Sequence, residues 1–198
     1  MEASSLTSLE DQVAFYAAYH QDGRNKATHF VGVPAIMLSL FIPLSWIRFE
    51  IGLGGITISA AMVFAAVVLA YYFMLDVPLA LAMFVVTCAL VWGGQQIAEL
   101  GALQGWIWFA ILFVGGWILQ LVGHVFEGRK PALADNLFQI FVAPIFLAAE
   151  VFFALGYKPQ LHRQVQQKAQ LSRAQSADSS NSLPRTSSRS GASGSRSA

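Results

Sequence analysis

Three of the four histidines in this chain fall at the edges of long apolar segments, close to further polar side chains. His20 and His29 precede the first apolar segment, and His124 ends the fourth. Asn25 lies four residues before His29 and Glu127 three residues after His124, and both spacings put the two side chains on one helix face. Three imidazoles with a carboxylate form a ligand set suited to iron, zinc or manganese. Iron with open positions would support chemistry with oxygen.

The same residues also have simpler interpretations. An isolated histidine near a membrane interface is more often a hydrogen-bonded anchor than a metal ligand, and the chain has no HxxxH pair. Glu127 with Arg129 and Lys130 is typical of a charged interfacial loop, here closed by Pro131. Asp135 stands where an N-cap of the last apolar segment would be expected. Spacing alone therefore favours these structural roles over catalysis.

Glu150 is unusual because it lies deep in an apolar segment. An ionised carboxylate there costs about 2.5–3.5 kcal/mol, so such a residue has a partner or a function. It could be a hydrogen-bonded group that joins helices, or a site residue, and the sequence leaves both open. It also supports a non-enzymatic alternative, in which the chain is a membrane scaffold or small transporter and Glu150 is an intramembrane proton or ion site.

The composition shows what kind of fold must position these residues. Hydrophobic residues make up 56% of the 198 residues and charged residues 12%, whereas soluble proteins average about 25% charged. Between Gly52 and Glu99 the only charge is Asp76. We therefore predict an all-α, polytopic integral membrane bundle. The net charge of +1 gives no reason to expect a nucleic-acid partner, and the single cysteine excludes an intramolecular disulfide.

Four to five apolar segments are expected, preceded by a short interfacial helix through Val13 and Tyr19. Asp76 alone separates the second and third, which predicts either a tight hairpin or a shorter, partly interfacial pair. Residues 1–160 are predicted to form the membrane-embedded domain and 161–198 a polar Ser/Arg/Gln-rich tail, largely disordered from about Ser172. Most of the segments approach the roughly 20 residues that cross a bilayer; they are Phe30–Phe49, Ile56–Leu75, Val77–Trp92, Gly105–Phe126 and Leu137–Gly156.

The number of crossings predicts which polar groups meet. If Arg24 and Lys26 are cytoplasmic under the positive-inside rule, four crossings return Arg129 and Lys130 to the same side. The three histidines would then share one face. A full fifth crossing would put the basic tail on the opposite side, so Pro144 near the middle of that segment favours a re-entrant or kinked path.

Two blocks of residues resemble a known family. The first contains Tyr19-His20, Asn25, His29 and Val33-Pro34. The second and more specific block runs from Gln120 to Leu137: Gln120-Leu121-Val122-Gly123-His124, Phe126-Glu127, Pro131-Ala132-Leu133 and Asp135-Asn136-Leu137. Further matches are Pro144, Glu150-Val151 and Leu155-Gly156-Tyr157. From about Phe15 to Pro159 the chain resembles the 2-hydroxy fatty acid dioxygenase family of fungal phytosphingosine breakdown and its bacterial relatives.

This resemblance implies an iron(II)-dependent oxidoreductase that acts with O2 in fatty acid α-oxidation. A long-chain 2-hydroxy fatty acid and O2 would give the fatty acid one carbon shorter and CO2. By position, the implied Fe2+ ligands are His20, His29 and His124. The implied catalytic residues are Glu127, Asp135 and Asn136, with Glu127 either a fourth ligand or a group that orients His124. A di-iron hydroxylase or desaturase is less compatible, because three such histidines cannot fill its HxxxH or HxxHH clusters.

The expected partners are the 2-hydroxy fatty acid, O2 and the lipid bilayer, whereas the oligomeric state is open. Electrons for O2 would come from the cleaved carbon, so no flavin or nicotinamide site is needed, and no glycine fingerprint is present. The resemblance implies the endoplasmic reticulum membrane in a eukaryote or the inner membrane in a bacterium, with the site facing the cytoplasm. The substrate-binding candidates are Asn25, Arg24, Lys26, Arg129 and Glu150.

Overall fold

The computed structural model describes residues 9–52, 55–128 and 139–181. These residues form seven helices and one two-stranded hairpin, which confirms the predicted all-α class. In chain order the elements are α1 (Leu9–Ala17), α2 (Gly23–Trp46), β1 (Arg48–Ile51), β2 (Ile56–Ser59), α3 (Ala60–Leu75), α4 (Val77–Glu99), α5 (Ala102–Glu127), α6 (Gln139–Ala154) and α7 (Pro159–Asn181).

Helices form within all five predicted apolar segments. Among the described residues α2, α4 and α5 are long and apolar enough to cross a membrane, whereas α3 and α6 are apolar but have 16 residues each. At 1.5 Å per residue α3 is about 24 Å long, shorter than a bilayer core of about 30 Å. The predicted ends at Phe49 and Ile56 were wrong, because these residues belong to the antiparallel hairpin β1–β2. The third segment also continues past Trp92 to Glu99.

The α3–α4 pair is a tight hairpin, which decides between the two alternatives left open by the sequence. Asp76 is the only residue between the helices, and its side chain accepts a hydrogen bond from the Leu79 backbone N–H at 3.1 Å. It thus caps the N-terminus of α4. The same buried carboxylate forms an ion pair with Lys158, which holds the start of α7 against this end of the hairpin.

Helices α2 and α5 pack closely enough to bring their backbones together. A Cβ added at Gly116 would lie 3.0 Å from the carbonyl oxygen of Gly32, and one at Gly123 would lie 2.4 Å from Oδ1 of Asn25. Glycine is therefore required at this interface. The close contact extends to the end of α5, so that His124 is carried beside the first turns of α2.

The end of α5 and the chain that follows α6 lie at the same face of the bundle. Glu127 at the end of α5 forms an ion pair of 2.7 Å with Arg173 of α7, and Lys26 at the start of α2 forms one of 2.7 Å with Glu150 of α6. These contacts bring together residues on either side of the fifth segment, Glu127 before it and Arg173 after it, and join Glu150 near its end to the start of α2. The re-entrant path itself stays a prediction. The start of α2 and the end of α5 share a face, as predicted, because Glu127 also accepts a hydrogen bond from the Asp22 backbone N–H.

Helix α7 continues to Asn181, past Ser172, where the sequence predicts that disorder begins. Val165 and Ala169, one turn apart, are buried, and Lys168 donates a hydrogen bond of 2.9 Å to Asp11 of α1. Leu161 extends this small apolar stripe by another turn, so α7 gains its stability from packing on α1. Residues 182–198 lie outside the described residues, and the domain division at residue 160 stays a prediction.

Candidate metal centre

The three histidines meet at one point. His20 lies in the turn between α1 and α2, His29 in the second turn of α2, and His124 in the last turn of α5. All three are buried, and one nitrogen from each ring lies within 4.8 Å of the other two. Residues at opposite ends of the four crossings therefore form one cluster, as the count of crossings predicted.

The hydrogen bonds of two of the rings define their tautomers. Nδ1 of His20 lies 2.8 Å from the carbonyl oxygen of Tyr16, and Nδ1 of His29 lies 2.9 Å from that of Asn25. A carbonyl oxygen can only accept, so both Nδ1 atoms carry the hydrogen. In the neutral rings both Nε2 atoms then hold lone pairs, and they face each other at 3.1 Å. Two lone pairs this close repel each other unless a cation or a proton lies between them.

A metal ion fits between the Nε2 atoms of His20 and His29. Zinc–imidazole bonds are about 2.0–2.1 Å long, so two nitrogens about 90–110° apart around an ion of that size lie about 2.9–3.4 Å from each other. A proton is the weaker alternative, because burial and the neighbouring His29 lower the pKa of His20 well below its usual value. The Nδ1–carbonyl bonds are the contacts that orient metal-ligating histidines. The donor set therefore suits a divalent ion of the iron and zinc group.

Glu127 holds the turn that carries His20. Its carboxylate accepts hydrogen bonds from the backbone N–H groups of Gln21 at 2.9 Å and Asp22 at 2.7 Å, and from the side-chain amide of Asn25 at 3.3 Å. Arg173 pairs with the same buried group. The contacts reveal a positioning role that the sequence did not indicate, and the predicted catalytic role of Glu127 stays a prediction.

The predicted substrate-binding residues fall into three groups. Asn25 is fully buried beside the cluster. Lys26 and Glu150 form a mostly buried ion pair, so Glu150 joins α6 to α2, as one of its two interpretations required. Arg24 is exposed, pairs with Asp22 and lies over the ring of Phe126. The fifth, Arg129, lies outside the described residues, as do the predicted catalytic residues Asp135 and Asn136.

An apolar cavity of about 190 Å³ extends from the histidines into the bundle. It reaches Phe41, which lies 12 residues or about 18 Å along α2 from His29. Gln120 and Gln139 also line it, and neither was predicted as a site residue. The Nε2 atom of Gln120 is buried and has no hydrogen-bond partner among the described residues. The spacing of four residues between Gln120 and His124 is the sequence signal that could have found it.

We expect Glu127→Gln to weaken metal binding at the three histidines of the candidate centre. Losing the charge weakens several buried hydrogen bonds, each worth about 1.5–3 kcal/mol, and loosens the turn at His20. Metal affinity should fall about 10–100-fold, as for other contacts that orient ligands. Metal titration and thermal unfolding measure the two effects. Glu99→Gln is the control, because Glu99 and Arg48 are exposed and 3.8 Å apart, a pair worth little. Unchanged metal affinity in Glu127→Gln would contradict this positioning role.

Comparison with known proteins adds a second line of evidence. The family described as 2-hydroxy-palmitic acid dioxygenase Mpo1-like matches residues 6–155, a range that contains the three histidines and every residue lining the cavity. The chain is 34% identical over 165 residues to the 2-hydroxy-palmitic acid dioxygenase MPO1 of Saccharomyces cerevisiae. That alignment covers 79% of this chain and 86% of the yeast protein. No solved structure matches the chain.

Proposed function

The chain belongs to the 2-hydroxy-palmitic acid dioxygenase Mpo1-like family, and on that basis we propose that it is a membrane enzyme that oxidises long-chain 2-hydroxy fatty acids with O2. The metal would be Fe2+, held by His20, His29 and His124. One observation carries this proposal: three buried imidazoles converge at one end of an apolar cavity. Such a site would provide ligands for a metal with open positions, beside a compartment for an alkyl chain.

The reaction balances without a further reductant. R–CH(OH)–COOH and O2 give R–COOH, CO2 and H2O, with cleavage of the bond between C1 and C2. Oxidation of the hydroxyl-bearing carbon to a carboxyl group and of the carboxyl carbon to CO2 releases four electrons, and these reduce one O2. This stoichiometry is why a bound flavin or nicotinamide is not required.

The protein contributes position, orientation and exclusion of water. When bound, Fe2+ would supply a Lewis acid and redox centre where the carboxylate, the 2-hydroxyl and O2 meet. The Nδ1 bonds of His20 and His29 orient the imidazoles. The unpartnered amide of Gln120, one helix turn from His124, is suited to donate a hydrogen bond to an oxygen of the substrate head. The apolar walls bury the first carbons of the chain.

We also propose an integral membrane location with the histidines on the cytoplasmic side. The support is the three spanning-length helices and the basic residues at the start of α2. The membrane would be the endoplasmic reticulum in a eukaryote or the inner membrane in a bacterium. A single cysteine at the exposed position 24, in a Cys88→Ala background, should react with an impermeant thiol reagent from the cytoplasmic side only. Labelling from the opposite side would reject this orientation.

The test of the proposed function uses the full chain purified in detergent. We expect about one iron per chain and, with 2-hydroxyhexadecanoic acid, equal amounts of O2 consumed and of pentadecanoic acid and CO2 formed. Removal of iron with a chelator should stop the reaction, and Fe2+ should restore it. A chain that binds no iron and consumes no O2 would reject the enzyme and favour a scaffold or transporter. The ion pair between Glu150 and Lys26 favours a structural role for Glu150 over an ion site.

A further inference from the structure

The cavity below the histidines is too small for a long-chain fatty acid. Its volume is about 190 Å³. For comparison, an apolar cavity of about 150 Å³ binds one benzene ring, and a sixteen-carbon acid has more than twice as many carbons as benzene. The cavity can therefore take the head group and the first part of the chain. The remaining carbons must leave it at some point along its wall.

A second, larger space adjoins the cavity on the outside of the bundle. This lateral groove, of about 640 Å³, lies between α3 and α4 and is lined by residues that include Ala66, Ala70, Phe84, Cys88 and Trp92. Most of these side chains belong to the exposed apolar surface of the two helices. In a membrane that surface faces lipid, so the groove is accessible to an alkyl chain from the bilayer.

Two small residues form the wall shared by the two spaces. Ala65 of α3 and Thr87 of α4 each line both the cavity and the lateral groove. Both are buried, with 6% and 3% of their surface exposed. Ala65 lies ten residues before the end of α3 and Thr87 ten residues after the start of α4, so both lie about 15 Å from the turn at Asp76. The junction therefore lies well inside the bundle.

We propose that the far end of the substrate's alkyl chain passes between Ala65 and Thr87 and lies in the lateral groove. The proposal rests on the proposed function, since it concerns where that substrate binds. It commits to the tail of the substrate rather than bulk lipid because the groove continues the cavity that holds the head. Chain length would then be recognised in the groove, whereas the chemistry takes place at the histidines.

Chain length gives a sharp test. An eight-carbon acid is at most about 11 Å long at about 1.5 Å per bond, whereas a sixteen-carbon acid is about twice as long. Phe64, the residue before Ala65, packs on Phe41. Phe41 lies about 18 Å along α2 from His29, so the eight-carbon chain should end before the junction. Ala66→Trp should fill the groove, because Ala66 lines the groove and not the cavity. We expect kcat/KM for 2-hydroxyhexadecanoic acid to fall about tenfold or more, as the loss of several buried CH2 groups predicts. The value for 2-hydroxyoctanoic acid should stay within about twofold of wild type.

The matched control is Ala110→Trp, which adds the same ring to the exposed surface of α5. Ala110→Trp should change kcat/KM for neither 2-hydroxyhexadecanoic acid nor 2-hydroxyoctanoic acid. Iron content is measured in every variant, so that a damaged metal site is separated from a blocked groove. An equal loss for both acids, or no loss for either in Ala66→Trp, overturns the groove proposal. No turnover of either acid by the iron-loaded wild type overturns the proposed function instead.

The natural chain carries its own probe of the groove. Cys88 is the only cysteine, is exposed and lines the groove. With both acids at saturation, N-ethylmaleimide should label Cys88 more slowly with 2-hydroxyhexadecanoic acid than with 2-hydroxyoctanoic acid. A Cys88→Ala, Ala110→Cys chain should show no such difference. Equal labelling of Cys88 with both acids would mean that lipid or detergent fills the groove, and would overturn the proposal without reference to turnover.

Discussion

His124→Ala, His20→Ala and His29→Ala should each bring iron content close to zero and turnover to background. Each change removes one of only three imidazoles at the cluster and leaves a buried gap in the coordination sphere. Loss of a contact that merely orients a ligand already costs about 10–100-fold in metal affinity, so loss of a ligand should cost more. Iron per chain and O2 consumption with 2-hydroxyhexadecanoic acid measure the two effects.

His162→Ala is the matched control for these variants. His162 lies in α7 and stacks on Phe153 with ring centroids 4.7 Å apart, away from the other three rings. Its removal should cost about 0.5–1.5 kcal/mol of stability through the lost ring contact and leave iron content unchanged. Full iron occupancy in folded His124→Ala protein would reject the ligand assignment.

Hexadecanoic acid should be turned over at least about 10³-fold more slowly than 2-hydroxyhexadecanoic acid, because a site that binds a substrate hydroxyl rejects the analogue without it. The hydroxyl also completes a chelate that brings the C1–C2 bond beside the metal. The plain acid also cannot be converted with one O2, because forming the shorter acid and CO2 from an acid without the 2-hydroxyl releases more electrons than one O2 accepts. Formation of pentadecanoic acid from each substrate is the measurement.

Hexadecanoic acid should nevertheless bind, because the two acids bury the same alkyl chain at about 0.8 kcal/mol per CH2. We therefore expect it to be a competitive inhibitor of 2-hydroxyhexadecanoic acid oxidation. Inhibition without turnover would separate binding by the chain from activation by the hydroxyl. Equal turnover of the two acids would reject the proposed mechanism.

Much of this protein could be predicted from its sequence. Nearly fifty residues with one charge can be accommodated only by lipid, and a backbone in lipid must satisfy its own hydrogen bonds, so apolar helices followed from composition. The convergence of His20 and His29 with His124 followed from counting four crossings. Asp76 between two apolar runs marked a turn, although only the packing showed that the turn is a tight hairpin.

The fifth segment and the C-terminal helix depend on contacts that local sequence patterns do not reveal. Pro144 predicts a kinked or re-entrant fifth segment, which stays a prediction, whereas the ion pair Arg173–Glu127 shows that residues before and after this segment lie at one face. The residues after Ser172 look disordered by composition. They continue a helix that α1 stabilises through contacts with Val165 and Ala169, earlier in the same helix.

Only the tertiary structure decided which contacts each polar side chain around the histidine cluster makes. Glu127 lies three residues after His124, so the sequence suggested that its side chain acts beside His124 on the same helix face. Its carboxylate instead accepts hydrogen bonds from the backbone of a turn more than 100 positions away. Gln120 became a candidate because its amide is buried beside a cavity without a partner among the described residues. The volume of that cavity and its shared wall with the lateral groove at Ala65 and Thr87 are properties of several helices at once. Periodicity tells which residues lie on a helix face, whereas the space between faces depends on how closely the helices approach. At the histidine end of the cavity, glycines set the distance between α2 and α5.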